Sequence, residues 1–176
     1  MARDKDTVAR NLLAARCRRG DRAALEELVR TFEGRLFYFV RRLVGNEADA
    51  WDVVQKTWVR VLGGIEKLDD PGSLVPWLYQ IARHTALTHA RLRDPPVELP
   101  AEVPDPGAAD PADFGDAERV HHGLVRLSLP HREVLTLFFL ADLGVEQIAE
   151  VLGVPTGTVK SRLHYAKLAL RKVIDS

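Results

Sequence analysis

Six of the ten prolines fall between Pro95 and Pro111, and this clustering limits what the chain can fold into. Proline has no backbone N–H and disfavours helix at the residue before it, so no long helix can run through this stretch. Residues 94–118 also hold eight Asp and Glu and no Lys or Arg, and like charges keep such a segment extended. Residues 94–116 therefore read as a flexible acidic linker between residues 1–93 and residues 117–176. The formal net charge of zero follows from this division: residues 1–93 carry +5, residues 94–118 carry −8 and residues 119–176 carry +3. With two basic blocks flanking an acidic one, the overall charge says little about nucleic-acid binding.

Both flanking units predict an all-α fold. Asp6 or Thr7 is a candidate cap for a helix to about Arg19, ended by Gly20. Asp21 can cap a second helix, in which Leu25, Leu28, Val29, Phe32, Leu36, Phe39, Val40 and Leu43 recur at three- and four-residue steps. Gly45-Asn46 breaks it, and Asn46 with Asp49 has the layout of a capping box for a third helix. Gly63-Gly64 ends that helix, and a loop over Glu66 to Gly72 leads to a fourth, with Pro76 in its first turn. Trp77, Leu78, Ile81, Ala82, Thr85, Leu87 and Leu92 are its expected buried positions. In the second unit a helix is expected near Ala117–Leu127, and another from Glu133 to Ala141 after Pro130.

Val145 through Leu163 then form a compact signature. A short apolar-periodic helix reaches Gly153, a Gly-Val-Pro-Thr turn follows, and a second helix starts small and polar and becomes basic. That is the layout of a helix-turn-helix, whose second helix lies in the DNA major groove. Val159, Leu163, Ala166 and Leu170 are spaced by four, three and four, making one stripe for the domain core. Lys160, Ser161, Arg162, His164, Tyr165 and Lys167 lie off it. Thr156, Gly157 and Thr158 crowd the amino end, where free N–H groups and the helix dipole suit a phosphate. Arg162 and Lys160 can reach guanine edges or phosphates; Ser161 and Thr158 can bond either. These nine residues are the candidate DNA readers.

In the third helix, Asp52 and Gln55 are three apart and share a face, with Asp49 and Lys56 on nearby rows. This polar stripe can pair with basic residues of a partner. In the fourth helix Tyr79, Arg83, His84 and Arg91 are candidate nucleic-acid contacts, with Tyr79 open between core packing and base stacking.

Other classes are disfavoured. No run of about 18 apolar residues occurs, so no membrane span is expected, and no apolar signal core follows Met1, so the expected location is cytoplasmic. Cys17 is the single cysteine, so no internal disulfide can form. His84 and His89 are five apart and His121-His122 adjacent, neither a convincing metal pair. No nucleophile–base pattern or phosphate-cradling glycine loop stands out. No enzyme activity, cofactor or metal is expected.

Leu129-Pro130-His131-Arg132-Glu133-Val134-Leu135 through Arg171 resembles the fourth conserved region of the sigma-seventy family, in its extracytoplasmic-function (ECF) type. In that family this region reads the minus-thirty-five promoter element. Leu28 through Arg93 resembles the second conserved region. Within it, Ala48 through Trp58 is similar to the helix that docks on the polymerase clamp helices, and Pro76 through Arg83 to the helix beside the melted minus-ten element. The resemblance implies polymerase contacts at Asp49, Asp52, Gln55 and Lys56. It implies downstream-element contacts at Tyr79, Arg83, His84 and Arg91. The loop Lys67 through Leu74 matches one that captures a flipped base, and the linker one that threads toward the active-site cleft. The implied partners are core RNA polymerase, promoter DNA and an anti-sigma factor. Departures stand at Trp51 and Lys56, where the family usually has acidic residues, at His84, where it has Asn, and near Thr88, where it often has Asp. The competing reading is a stand-alone helix-turn-helix regulator that binds duplex DNA without polymerase.

Overall fold

The computed structural model describes residues 2–93 and 122–174, with side chains from Lys5 onward. Its helices are α1 (Ala2–Arg18), α2 (Arg22–Val44), α3 (Glu47–Gly64), α4 (Leu74–Arg93), α5 (Leu129–Phe139), α6 (Val145–Leu152) and α7 (Thr156–Ile174). Among the described residues no strand occurs. The acidic linker, and residues 117–121 of the expected helix near Ala117–Leu127, lie outside the described residues; residues 122–125 are helical.

Local chemistry explains most boundaries. α1 starts at Ala2 rather than at an Asp6 or Thr7 cap, because residues 2–9 contain no Gly or Pro to stop the helix extending backward. After α1, Gly20 takes φ +76°, a left-handed conformation that glycine adopts at little cost. Asp21 then caps α2, its Oδ1 accepting from the Ala24 N–H at 3.1 Å while its Oδ2 accepts from Arg16 Nε at 2.8 Å. The Ala24 N–H and the Arg16 guanidinium hold the Asp21 carboxyl below the usual carboxylate range. A lowered folded-state pKa means this stabilisation is full above the unfolded value, about pH 4, and is lost as pH falls through the folded value. Asp21→Ala should therefore lower the melting temperature at pH 7, and the gap from the parent should narrow below about pH 3. A gap that widens on acidification would contradict the cap.

Asn46 caps α3 as expected, accepting from the Asp49 N–H at 2.9 Å. α3 ends at Gly64, as the Gly63-Gly64 pair requires, and a Cβ added at Gly64 would stand 3.3 Å from the Trp77 ring, so glycine leaves that ring its room. The following loop is built from two short 3-10 turns, Ile65–Lys67 and Pro71–Ser73. Asp70 closes the second by accepting from the Gly72 N–H at 2.9 Å.

Leu28, Phe32, Leu36, Phe39 and Val40 of α2 pack against Val53, Val54 and Val61 of α3 and Leu78, Tyr79, Ala82 and Ala86 of α4. Beyond Ala86 the face of α4 turned toward α3 carries His89, 14% exposed, and then Arg93, 61% exposed. Leu92, an expected core residue, is left 81% exposed. The second core joins Val134, Leu135 and Leu137 of α5, Ile148 and Val151 of α6, and Val159, Leu163 and Ala166 of α7.

The two cores also pack on one another, α4 against α6 and α2 against α5. Arg83 Nε donates to Glu133 Oε1 at 2.7 Å and its Nη2 to Oε2 at 3.3 Å. Gln80 Nε2 donates to the Glu150 carbonyl at 3.0 Å. Arg132 donates to the carbonyls of Leu124, Val125 and Leu127, and across the boundary to that of Arg42 at 2.8 Å. A guanidinium carries five donors in a fixed fork, which suits a cluster of orphan carbonyls at a helical end.

Candidate functional site

α6 ends at Gly153, which sits at φ +65°, ψ +37°, the left-handed region where glycine is least strained. Gln147 braces the other end, its Oε1 accepting from the Gly144 N–H at 3.1 Å. Pro155 precedes α7, which enters at an angle fixed by burial of Val159, Leu163 and Ala166. Leu170, the last residue of the expected stripe, is half-buried. That apolar stripe leaves the other side of α7 open to solvent.

The nine candidate readers all fall on the accessible side. Thr156, Gly157, Lys160, Ser161, His164, Tyr165 and Lys167 are exposed, and Thr158 and Arg162 are half-buried. A Cβ added at Gly157 would meet nothing within 4 Å, so packing within the chain does not require glycine there. Ser161 Oγ donates to the Thr158 carbonyl at 3.0 Å. The Lys167 ammonium stands 5.1 Å from the Phe138 ring centre and 5.5 Å from that of Phe139, which ties it toward α5. From Pro155 onward the segment holds five basic residues and one acidic residue. With the N–H groups of the first turn of α7, this makes a surface fitted to a phosphate backbone and base edges.

The downstream candidates separate. His84 and Arg91 are exposed on α4. Tyr79 is not available: it is 1% exposed and meets Phe39 edge-on, ring centres 5.3 Å apart. Burial pushes its hydroxyl up to about 12. Tyr79 is a core residue, because α4 turns that face toward α2, and stacking on a base is excluded. Trp77, half-buried against Gly64, is a packing residue too. Arg83 is committed to Glu133, whose side chain is only 3% exposed.

On α3 the two candidate polymerase-facing carboxylates differ: the Asp49 side chain is 15% exposed and that of Asp52 is 46% exposed. Asp49 binds Asn46 and Arg93. Those contacts hold its carboxyl below the usual range, the Asn46 bond contributing most. His89 stands between the carboxylates, Nε2 3.4 Å from Asp49 and Nδ1 3.6 Å from Asp52. Lys56 Nζ donates to Asp52 at 2.7 Å. Gln55 is exposed. Asp49, Asp52 and Lys56 thus lie in a polar seam joining α3 to α4.

Sequence reading missed four residues of these networks: His89 and Arg93 as partners of Asp49, and Arg132 and Glu133 at the interface of the two units. Arg132 and Glu133 sit in the first turns of a helix, where charged side chains read as solvent-facing. Only the packing of α5 against α2 and the approach of Arg83 from α4 turn them inward.

Among the described residues, no helix is long and apolar enough to cross a membrane, and no cluster of His, Cys, Asp and Glu suits a metal. Residues 28–94 match the family described as Sigma-70 region 2, and residues 117–170 that described as Sigma-70, region 4. The chain is 28% identical to the ECF RNA polymerase sigma factor SigW of Bacillus subtilis, over 88% of this chain and 91% of that one. It is 31% identical to the RNA polymerase sigma-H factor of Pseudomonas aeruginosa, over 93% of this chain and 92% of the relative. Among solved structures, CnrH in complex with the cytosolic domain of CnrY aligns with TM-score 0.71 and 25% identity, over 95% of this chain and 97% of that one. The sigma factor RpoE of Bartonella quintana, in complex with the anti-sigma factor NepR, shares the fold with TM-score 0.69 and 23% identity, over 85% of this chain and 96% of that one. With both conserved regions present in order, and the helix-turn-helix and the α2–α4 bundle built as the sequence required, the chain belongs to the ECF sigma factors of the sigma-70 family.

Proposed function

We infer that this chain binds core RNA polymerase and directs promoter-specific transcription initiation, with no chemistry of its own. The observation that carries this reading is the pairing of a basic, solvent-facing α7 with a separate helical bundle bearing the family's second region. A stand-alone regulator would need only the first of these. Residues 1–93 serve polymerase and the minus-ten element, and residues 117–176 the minus-thirty-five element. In α7, Thr156, Gly157, Thr158, Lys160, Ser161, Arg162, His164, Tyr165 and Lys167 contact the upstream element. In α4, Arg83, His84 and Arg91 contact the downstream element. In α3, Asp49, Asp52, Gln55 and Lys56 belong to the polymerase-facing region. An anti-sigma factor is the expected protein regulator, as in the complex of the Bartonella quintana relative.

Geometry adds a requirement. Elements named minus ten and minus thirty-five lie about 25 base pairs apart, or about 85 Å of B-DNA at about 3.4 Å per pair. A compact chain of 176 residues has a radius of gyration of about 16 Å. The two units must separate to reach both elements, and Arg83 must leave Glu133 to touch DNA.

The test is initiation from a cognate promoter with purified core polymerase, comparing the parent with Arg162→Ala. The variant should lose about 1–3 kcal/mol of upstream-element discrimination, read by anisotropy of the polymerase complex on promoter DNA. Binding to core should be unchanged. Tight DNA binding by the chain alone with no initiation would instead establish the stand-alone regulator.

A further inference from the structure

Charge is distributed unevenly around the axis of α7. Its buried residues Val159, Leu163 and Ala166, with half-buried Leu170, set the inward direction. At about 100° per residue, the residues from Thr156 to Leu170 that fall within about 55° of the opposite direction are Gly157, Ser161, His164, Tyr165 and Leu168. All are exposed, Tyr165 by 60% and Leu168 by 47%. None of them is Lys, Arg, Asp or Glu. The cations stand to the sides, Lys160 and Lys167 on one flank and Arg162 on the other. A helix in the major groove turns its outward line to the base pairs and its flanks to the two phosphate strands. Charge on α7 is thus placed where phosphates run, and the line that meets the bases is left without it.

That line changes character along the helix. Gly157 and Ser161 at the amino end are small. Glycine within a helix costs stability, and a Cβ at Gly157 would meet nothing within 4 Å, so packing in the chain gives no reason for it. The missing side chain leaves room for α7 to come close to a base pair. About 12 Å further along the axis stands Tyr165. Its ring meets that of His164 edge-on, centres 5.3 Å apart and planes at 74°. Leu168 continues this apolar edge on the same side.

The bases differ in what they offer such a surface. In the major groove only thymine presents an apolar group, its C5 methyl; the other base edges present hydrogen-bond donors and acceptors. Guanine is matched by Arg or Lys and adenine by Asn or Gln, and none of these stands on the outward line. An exposed aromatic ring steadied by a neighbour is matched by a methyl group.

We propose that α7 reads thymine in the upstream element, the Tyr165 ring packing on a C5 methyl group while His164 holds that ring in place. Recognition here is apolar, framed by the charges of Lys160 and Arg162. It rests on the reading of residues 117–176 as the upstream-element reader.

The test assembles holoenzyme from the full chain and cognate core polymerase and selects duplexes from a promoter library randomised at the upstream element. The enriched element is then made with uracil, which lacks the methyl group, in place of each thymine in turn. At one thymine or more, uracil should weaken holoenzyme binding about fourfold, the effect of one buried methyl group. Tyr165→Ala should weaken binding to the thymine duplex by a similar factor and bind the thymine and uracil duplexes alike. Tyr165→Ser should do the same, and decides the matter if the alanine variant fails to fold. Tyr165→Phe, which keeps the ring and loses the hydroxyl, should remain as sensitive to uracil as the parent. Arg162→Ala should bind more weakly yet keep that sensitivity. An enriched element without thymine on either strand, or uracil duplexes bound as tightly as thymine ones, overturns the proposal and leaves upstream-element reading intact. Uracil sensitivity that survives Tyr165→Ala, or that is lost in Tyr165→Phe, overturns it equally. A library that returns no enriched element removes the upstream-element reading itself, and the thymine contact with it.

Discussion

Phe39→Ala should destabilise the α2–α4 bundle by about 3–5 kcal/mol, the range for emptying an aromatic site in a packed core. Phe39 is 1% exposed, lies among α2, α3 and α4, and meets the Tyr79 ring edge-on. Removing it forfeits its own burial and leaves Tyr79 without its aromatic neighbour. Small domains are stable by only roughly 5–15 kcal/mol, so the loss takes a large share of the total. Urea denaturation followed by far-UV circular dichroism should show a lower midpoint with a similar slope. The melting temperature should fall by on the order of 15 °C. Phe37→Ala is the contrast. Phe37 is half-buried and stacks on an exposed ring, so its loss should cost the fold much less. Equal effects from the two would mean that the core is not where the burial pattern places it.

Arg83→Ala should open the interface between the two units. Glu133 is held there with a side chain 3% exposed, and Arg83 supplies both of its hydrogen bonds from a guanidinium that is itself 28% exposed. Removing one partner of a buried pair costs about 3–5 kcal/mol, because a charge is left without water or partner. Here the strain has an outlet: if α6 lifts from α4, Glu133 is hydrated. The cost is therefore capped by the packing of α4 against α6 and the bonds of Gln80 and Arg132. The expected result is a larger radius of gyration in X-ray scattering and a separate, earlier calorimetric transition for residues 122–174. The reverse change is milder. In Glu133→Ala the freed guanidinium, already partly exposed, can turn to solvent, and in Glu133→Gln one hydrogen bond survives. An order in which Glu133→Ala opens the chain more than Arg83→Ala would show that the pair is not what joins the units.

How far the fold was legible can be traced to particular residues. Asp21 and Asn46 were readable as caps because a cap is a contact between neighbours in sequence, and Gly153 because a left-handed turn is a local demand. The apolar spacing of α2 and of α7 identified their buried faces for the same reason. Leu92 and Tyr79 went the other way. Both lie on α4, and the apolar pattern does not say where the bundle ends or which face α2 covers. The site shows the same division. The nine candidates around α7 lie on an open surface because one stripe of α7 is consumed by its own core. The α3 candidates share a helix face as their spacing required, but it is pairing with Lys56, His89 and Arg93 that decides which carry free charge.

Residue order alone determined two all-helical units, their separation by an acidic proline-rich stretch, a helix-turn-helix with one face left for solvent, and membership of the sigma-70 family. Each follows from interactions within a few residues or from a motif with fixed spacing. Tertiary structure decided the rest: that Tyr79 belongs to the core, that Arg83 is engaged by Glu133, and that Asp49 and Asp52 are paired within the chain while Trp51 stays partly open. Those outcomes depend on which side chains distant in sequence meet, and on how much water is left between them. Burial sets the cost of an unpaired charge and the value of an exposed aromatic ring, and burial is a property of the packed chain.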